Sequence, residues 1–164
     1  MNRFYNFIIK GFLFYVTYAF LFKYGFKYYW ELKIINLQVI ISSIFLKLVG
    51  FEAIYNENIL FIEGGQPVEI KRGCNFFRSL NTFLFFFVSF STSTRRMFKY
   101  ISICLIYLSF IQIIRIISFT LCLKYFPNHW DIFHNYSSYF FYYPGTLALW
   151  YFYSIAPNIS KSKS

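Results

Sequence analysis

A chain of 164 residues that is 58% hydrophobic, 27% aromatic and only 13% charged is too apolar for an ordinary soluble domain and reads as an integral membrane protein. Its net charge of +10 would point to nucleic acid in a soluble chain, but here the basic residues flank apolar stretches, as helix-end anchors and lipid-headgroup contacts do, so a lipid bilayer and no nucleic acid is expected. The thiols, Cys74, Cys104 and Cys122, are odd in number with no close pair, so no disulfide framework is implied.

A transmembrane helix needs about 20 mostly apolar residues. The first such run, residues 4–22, follows Arg3, has no small-residue cleavage site after it and passes into a bulky basic stretch, so an uncleaved anchor is expected. An outer segment follows, residues 23–74. Within it, residues 34–49 place Ile34, Leu37, Ile41, Ile44 and Leu48 on one helical face with Asn36, Ser43 and Lys47 elsewhere, a pattern that suits an interfacial helix and leaves a fifth span open. Residues 59–70 are two strand-like runs around Gly64-Gly65, a small hairpin outside the bilayer. Further spans are expected at residues 75–93, 100–123 and 135–156. The fold class is therefore an all-α polytopic membrane protein, residues 1–164 forming one domain with about four to five transmembrane helices, an interfacial helix and an outer-face hairpin.

Arg95, Arg96 and Lys99 between the second and third spans, and Lys161 and Lys163 in the tail, mark the cytoplasmic side of a multi-pass inner-membrane protein. The hairpin, Cys74 and the loop at residues 124–134 then face outward.

Three polar features interrupt the apolar part: Cys74-Asn75 with Arg78, Gln112 with Arg115, and His134 at the entry to the last span. Cys74 precedes the first turn of its helix, where unpaired N–H groups and the positive dipole end favour a thiolate and lower the thiol pKa. Arg78 lies on the same face about 6 Å deeper, and Arg115 about 13 Å into its span. An intramembrane arginine needs a partner. No Asp or Glu occurs between Asn75 and Phe126, so a thiolate, a backbone carbonyl, a substrate group or a lipid phosphate must serve.

A thiol, an imidazole and a guanidinium suit acyl transfer from a peptide bond. Cys74 attacks, Arg115 with Arg78 holds the oxyanion or thiolate, His134 moves protons, and Asp131, three residues earlier, orients the imidazole. The bland alternatives stay open: a structural Cys74, arginines that bind lipid headgroups, His129 and His134 as interfacial residues, or a non-catalytic membrane scaffold or partner-binding subunit. An acyltransferase using the same thiol is a further enzyme class. Cys104 and Cys122 read as small core hydrophobes. Without HExxH or paired CxxC spacing, neither a metal nor another cofactor is expected.

The order Cys74-x-x-x-Arg78-Ser79-Leu80, then Arg115-Ile116 in a later span, then His134 opening the last, resembles the exosortase and archaeosortase family over residues 58–153. Gly73-Cys74-Asn75 and Phe133-His134-Asn135-Tyr136 look most like its short members. The resemblance implies a Cys74, Arg115, His134 triad. It also implies cleavage of membrane-tethered surface proteins near a carboxy-terminal sorting signal made of a short motif, a hydrophobic helix and a basic tail, with either water or an acceptor resolving the acyl-enzyme. Two positions depart from the family pattern: Phe76 stands where it has glycine and Gln112 where it has asparagine.

Overall fold

The computed structural model describes residues 3–21, 29–71, 77–90 and 93–161. The described chain is mostly helical, in the order α1 (Arg3–Leu21), α2 (Tyr29–Leu48), β1 (Ala53–Asn56), β2 (Ile59–Ile62), β3 (Val68–Glu69), α3 (Phe77–Ser89), α4 (Thr94–Tyr125), a short 3-10 turn (Pro127–His129), α5 (Trp130–Phe141) and α6 (Tyr143–Lys161).

Helix α4 is the axis. Its 32 residues span about 48 Å at the usual helical rise, and among the described residues it is the one helix long and apolar enough to cross a membrane. Phe7–Phe20 and Leu80–Ser89 are shorter apolar helical stretches. Helix α4 starts six residues before the expected span, so Arg95, Arg96 and Lys99 lie on its first turns rather than in a loop. It stops at Phe126 because Pro127 follows, which disfavours the helical conformation at the residue before it.

Two hydrophobic cores divide α4. The first half packs Cys104 and Leu108 with Phe83, Phe87, Tyr142 and Tyr153 of α3 and the α5–α6 region. The second half packs Ile116 and Phe119 with Ile35, Val39 and Leu46 of α2 and with Leu60, Ile62 and Val68 of the sheet. Helix α1 lies antiparallel on α3, with Phe7 against Phe90 and Phe14 against Phe85.

Where a hairpin was expected there is a three-stranded antiparallel sheet ordered β1-β2-β3. The Gly64-Gly65 turn is present, with Gly64 at φ 74, and Leu60 pairs with Val68 across it. The added strand β1 reaches β2 through a two-residue turn in which Glu57 takes φ 49, a left-handed conformation unfavourable for a residue with a Cβ. Asn58 then pins the sheet's exit: the Ile70 N–H donates to its carbonyl at 2.8 Å, and its side-chain amide donates to the Ile70 carbonyl at 3.2 Å.

Helix α2 runs beside α4 in the same direction, since Ile34 joins the core containing Leu108 and Ile111 while Leu46 joins that of Ile116 and Phe119. Its exposed side is mainly apolar, with Leu37, Ile44, Phe45 and Leu48 outward beside Lys33 and Lys47, and its buried face carries Gln38, Ser42 and Ser43. An apolar exterior over a partly polar interior suits hydrocarbon or the interface better than water.

Over residues 135–156, where one span is expected, the chain forms two helices that meet at Tyr142. Pro144 is the physical reason: it has no N–H to continue the ladder, and its ring crowds the preceding turn. Tyr107 of α4 donates its hydroxyl to the Phe141 carbonyl at 2.9 Å, satisfying an acceptor beside the break. Gly145 permits this approach, because a Cβ there would collide with the Tyr107 ring and hydroxyl. The expected loop at residues 124–134 is nearly all helix, and His134 lies in the second turn of α5.

Candidate active site

Cys74 and Asn75 lie outside the described residues. Arg78 is placed by its backbone as the second residue of α3, with its side chain likewise not described. The described chain on either side is anchored, at Ile70 by the Asn58 bonds and after Phe77 by the helix.

Gln112 and Arg115 face inward one turn apart on α4, between Leu108 of one core and Ile116 of the other. Gln112 accepts a hydrogen bond from the Tyr142 hydroxyl. Arg115 is only 6% exposed, and its Nε donates to the Ser137 hydroxyl at 3.1 Å. Its guanidinium lies over the rings of Phe119, at 4.8 Å, and Tyr142, at 5.6 Å. Between Asn75 and Phe126 the sequence has no carboxylate, and aromatic faces supply part of what an ion pair would; a desolvated cation–π contact is worth about 2 kcal/mol.

His134, far away in sequence, comes to the same place. Its ring is 5.4 Å from Phe119 and 5.4 Å from Trp130, so it shares Phe119 with Arg115. Ser137, one turn on, donates to the His134 carbonyl at 3.0 Å while accepting from Arg115. Phe119 thus lies between the guanidinium and the imidazole, while Ser137 links the Arg115 side chain to the backbone of the turn that carries His134. His129 stands apart in the 3-10 turn, against Phe126.

Asp131 is exposed at the start of α5, and no hydrogen bond or ion pair joins it to a described residue; the Phe119 and Trp130 rings flank the imidazole. Cys104 is buried in the aromatic core, and Cys122 is buried with its sulfur 3.8 Å from the Phe126 carbonyl. Among the described residues no group of three His, Cys, Asp or Glu is arranged to hold a metal ion.

Sequence reasoning missed Ser137, Phe119 and Tyr142. For Ser137 the spacing was a partial signal, since it sits one turn from His134, but Asp131, Asn135 and Ser138 on the same helix offer equally polar candidates. Phe119 and Tyr142 carry no such mark among 25 Phe and 16 Tyr.

One helix of membrane-spanning length and apolarity carries a buried glutamine and arginine between two cores, and packs against a histidine-bearing helix and a small sheet. Residues 3–151 match the family of transmembrane exosortases, and the chain belongs to that family. Searches of curated proteins and of solved structures gave no match.

Proposed function

We propose that this protein is a membrane cysteine endopeptidase or transpeptidase that processes the carboxy-terminal sorting signals of exported surface proteins by thiol acyl transfer. The observation that carries the reading is the convergence of Arg115 and His134 on Phe119 and Ser137, a cation and an imidazole in one carboxylate-poor site.

In this mechanism the Cys74 thiolate attacks the scissile carbonyl carbon, forming a C–S bond and moving the carbonyl π electrons onto oxygen. Arg115 stabilises that oxyanion, with Arg78 as a second donor. When the oxyanion collapses the C–N bond breaks, and the His134 imidazolium passes its proton to the departing amine. Water or an acceptor amine, deprotonated by His134, then opens the thioester and returns the thiol. Gln112 holds the Tyr142 hydroxyl against the Arg115 face, Asn75 stands beside the nucleophile in sequence, and Asp131 supplies a negative charge on the same helix as His134.

The substrates on this reading are membrane-tethered proteins ending in a hydrophobic helix and a basic tail, handled at the outer face of the cytoplasmic membrane. The basic residues Arg95, Arg96 and Lys99 cluster at the end of α4 opposite the sheet, which supports that orientation.

The test is Cys74→Ala at matched membrane abundance, with candidate exported proteins followed by immunoblot. Processing should stop; unchanged processing would make the thiol structural.

A further inference from the structure

We propose that Gln38 of α2 binds the backbone of the substrate peptide near the junction of the two cores where Gln112 and Arg115 lie, as a positioning residue for acyl transfer. The inference rests on Cys74 being the nucleophile.

Gln38 is 3% exposed, and neither its Nε2 nor its Oε1 has a hydrogen-bond partner among the described residues. Burying an amide with donor and acceptor both unpaired is costly, and folded interiors seldom keep one without a use. Leu is of similar size and would fill the same space at no such cost.

Its level in the fold places it with the site. Ile34 packs in the core of Leu108 and Ile111, whereas Ile35 and Val39 pack in that of Ile116 and Phe119. Gln38 lies between Ile34 and Val39 on the same buried side of α2, and α2 runs alongside α4. It therefore sits near the junction of the two cores, where Gln112 and Arg115 also lie. Further unpartnered polar atoms are the buried Oγ of Ser43, Oδ1 of Asn36 and, on α3 one turn past Arg78, Oδ1 of Asn81.

The chemistry selects the ligand class. A primary amide presents a donor and an acceptor side by side, the complement of the N–H and C=O of an extended peptide. A carboxylate or phosphate would leave Oε1 unpaired, and a hydrocarbon chain would leave both atoms so. A peptide crossing the polar layer satisfies both, without regard to side-chain identity.

The experiment compares wild type, Gln38→Leu and Gln38→Met with Cys74→Ala as reference. The probe is the host's own exported proteins that end in a hydrophobic helix and a basic tail, their intact and cleaved carboxy termini counted by mass spectrometry. Unfolding in detergent is measured alongside. The inference expects both Gln38 variants to be at least as stable as wild type while processing falls about ten-fold or more, the loss of two hydrogen bonds. Raising substrate expression should recover much of that loss, as a binding defect does.

Undiminished processing in both variants, with Cys74→Ala inactive, overturns the role of Gln38 and leaves the thiol mechanism standing. Loss of abundance or stability in both also overturns it, because the amide is then structural. Continued processing by Cys74→Ala overturns the thiol mechanism itself.

Discussion

The two cores on α4 are built from different materials. Around its second half the core is mainly aliphatic, with Ile35, Val39, Leu46, Leu60, Ile62 and Ile116 closing the sheet onto α2 and Phe119 as its buried ring. Around its first half it is aromatic: Phe83, Phe86, Phe87, Tyr100, Trp150 and Tyr153 pack ring on ring, with Phe86 stacked on Trp150 at 4.7 Å. The aromatic hydroxyls there bond backbone carbonyls, Tyr153 to Phe87 at 3.0 Å and Tyr107 to Phe141 at 2.9 Å. Arg96 does the same at one end, giving its guanidinium to the carbonyls of Phe152 and Tyr153 between the rings of Tyr100 and Tyr153. Polar side chains that satisfy backbone acceptors suit a medium without water. The difference teaches that one helix serves two environments, and that its polar residues Gln112 and Arg115 sit where they meet.

Truncating the centre of either core should give the largest effects. Phe87 is fully buried among rings, so Phe87→Ala should cost about 3–5 kcal/mol, while Ile62→Ala in the aliphatic core should cost about 2–5 kcal/mol, both read by unfolding in detergent. If the cores are separate units, the double variant should show additive losses.

At the junction, Arg115→Lys keeps the charge but loses the planar contact with Phe119 and Tyr142 and the Nε bond to Ser137. Processing should fall about a hundred-fold, as on losing an oxyanion donor, at unchanged membrane abundance on an immunoblot. Gly145→Ala forces a collision with Tyr107 and should destabilise by about 1–3 kcal/mol, with much of the loss recovered in combination with Tyr107→Leu. The smallest effect is Tyr153→Phe, which leaves the ring but removes the hydroxyl bonded to the Phe87 carbonyl, about 1 kcal/mol by the same unfolding measurement.

Much of this layout was legible in the sequence. The apolar run that became α4 and the Gly64-Gly65 turn depend on local composition, and both are present. Arg115 and His134 stood out because a charge or an imidazole in an apolar helix is expensive. Strand β1 did not stand out: only Ala53 of its four residues points inward, so there is no alternation to read, and its turn uses Glu57 where glycine would have been the signal. The break at Tyr142 carried a local mark in Pro144, but its compensation comes from Tyr107, 34 residues before Phe141 in the chain. The apolar face of α2 was visible, whereas which face would be buried depends on α4, a partner that periodicity cannot identify.

The most direct test of the central claim, that Cys74, Arg115 and His134 form one site open to the outer face, is alkylation of Cys74 by a membrane-impermeant maleimide in intact cells. The buried Cys104 and Cys122 serve as internal references. The account predicts that Cys74 is labelled from outside while the two buried thiols are not, that below the normal thiol pKa it reacts about ten times faster than free cysteine, as a thiol favoured as thiolate does, and that Arg115→Met slows it. Labelling of Cys74 no faster than the buried thiols, or at a rate indifferent to Arg115, would contradict it.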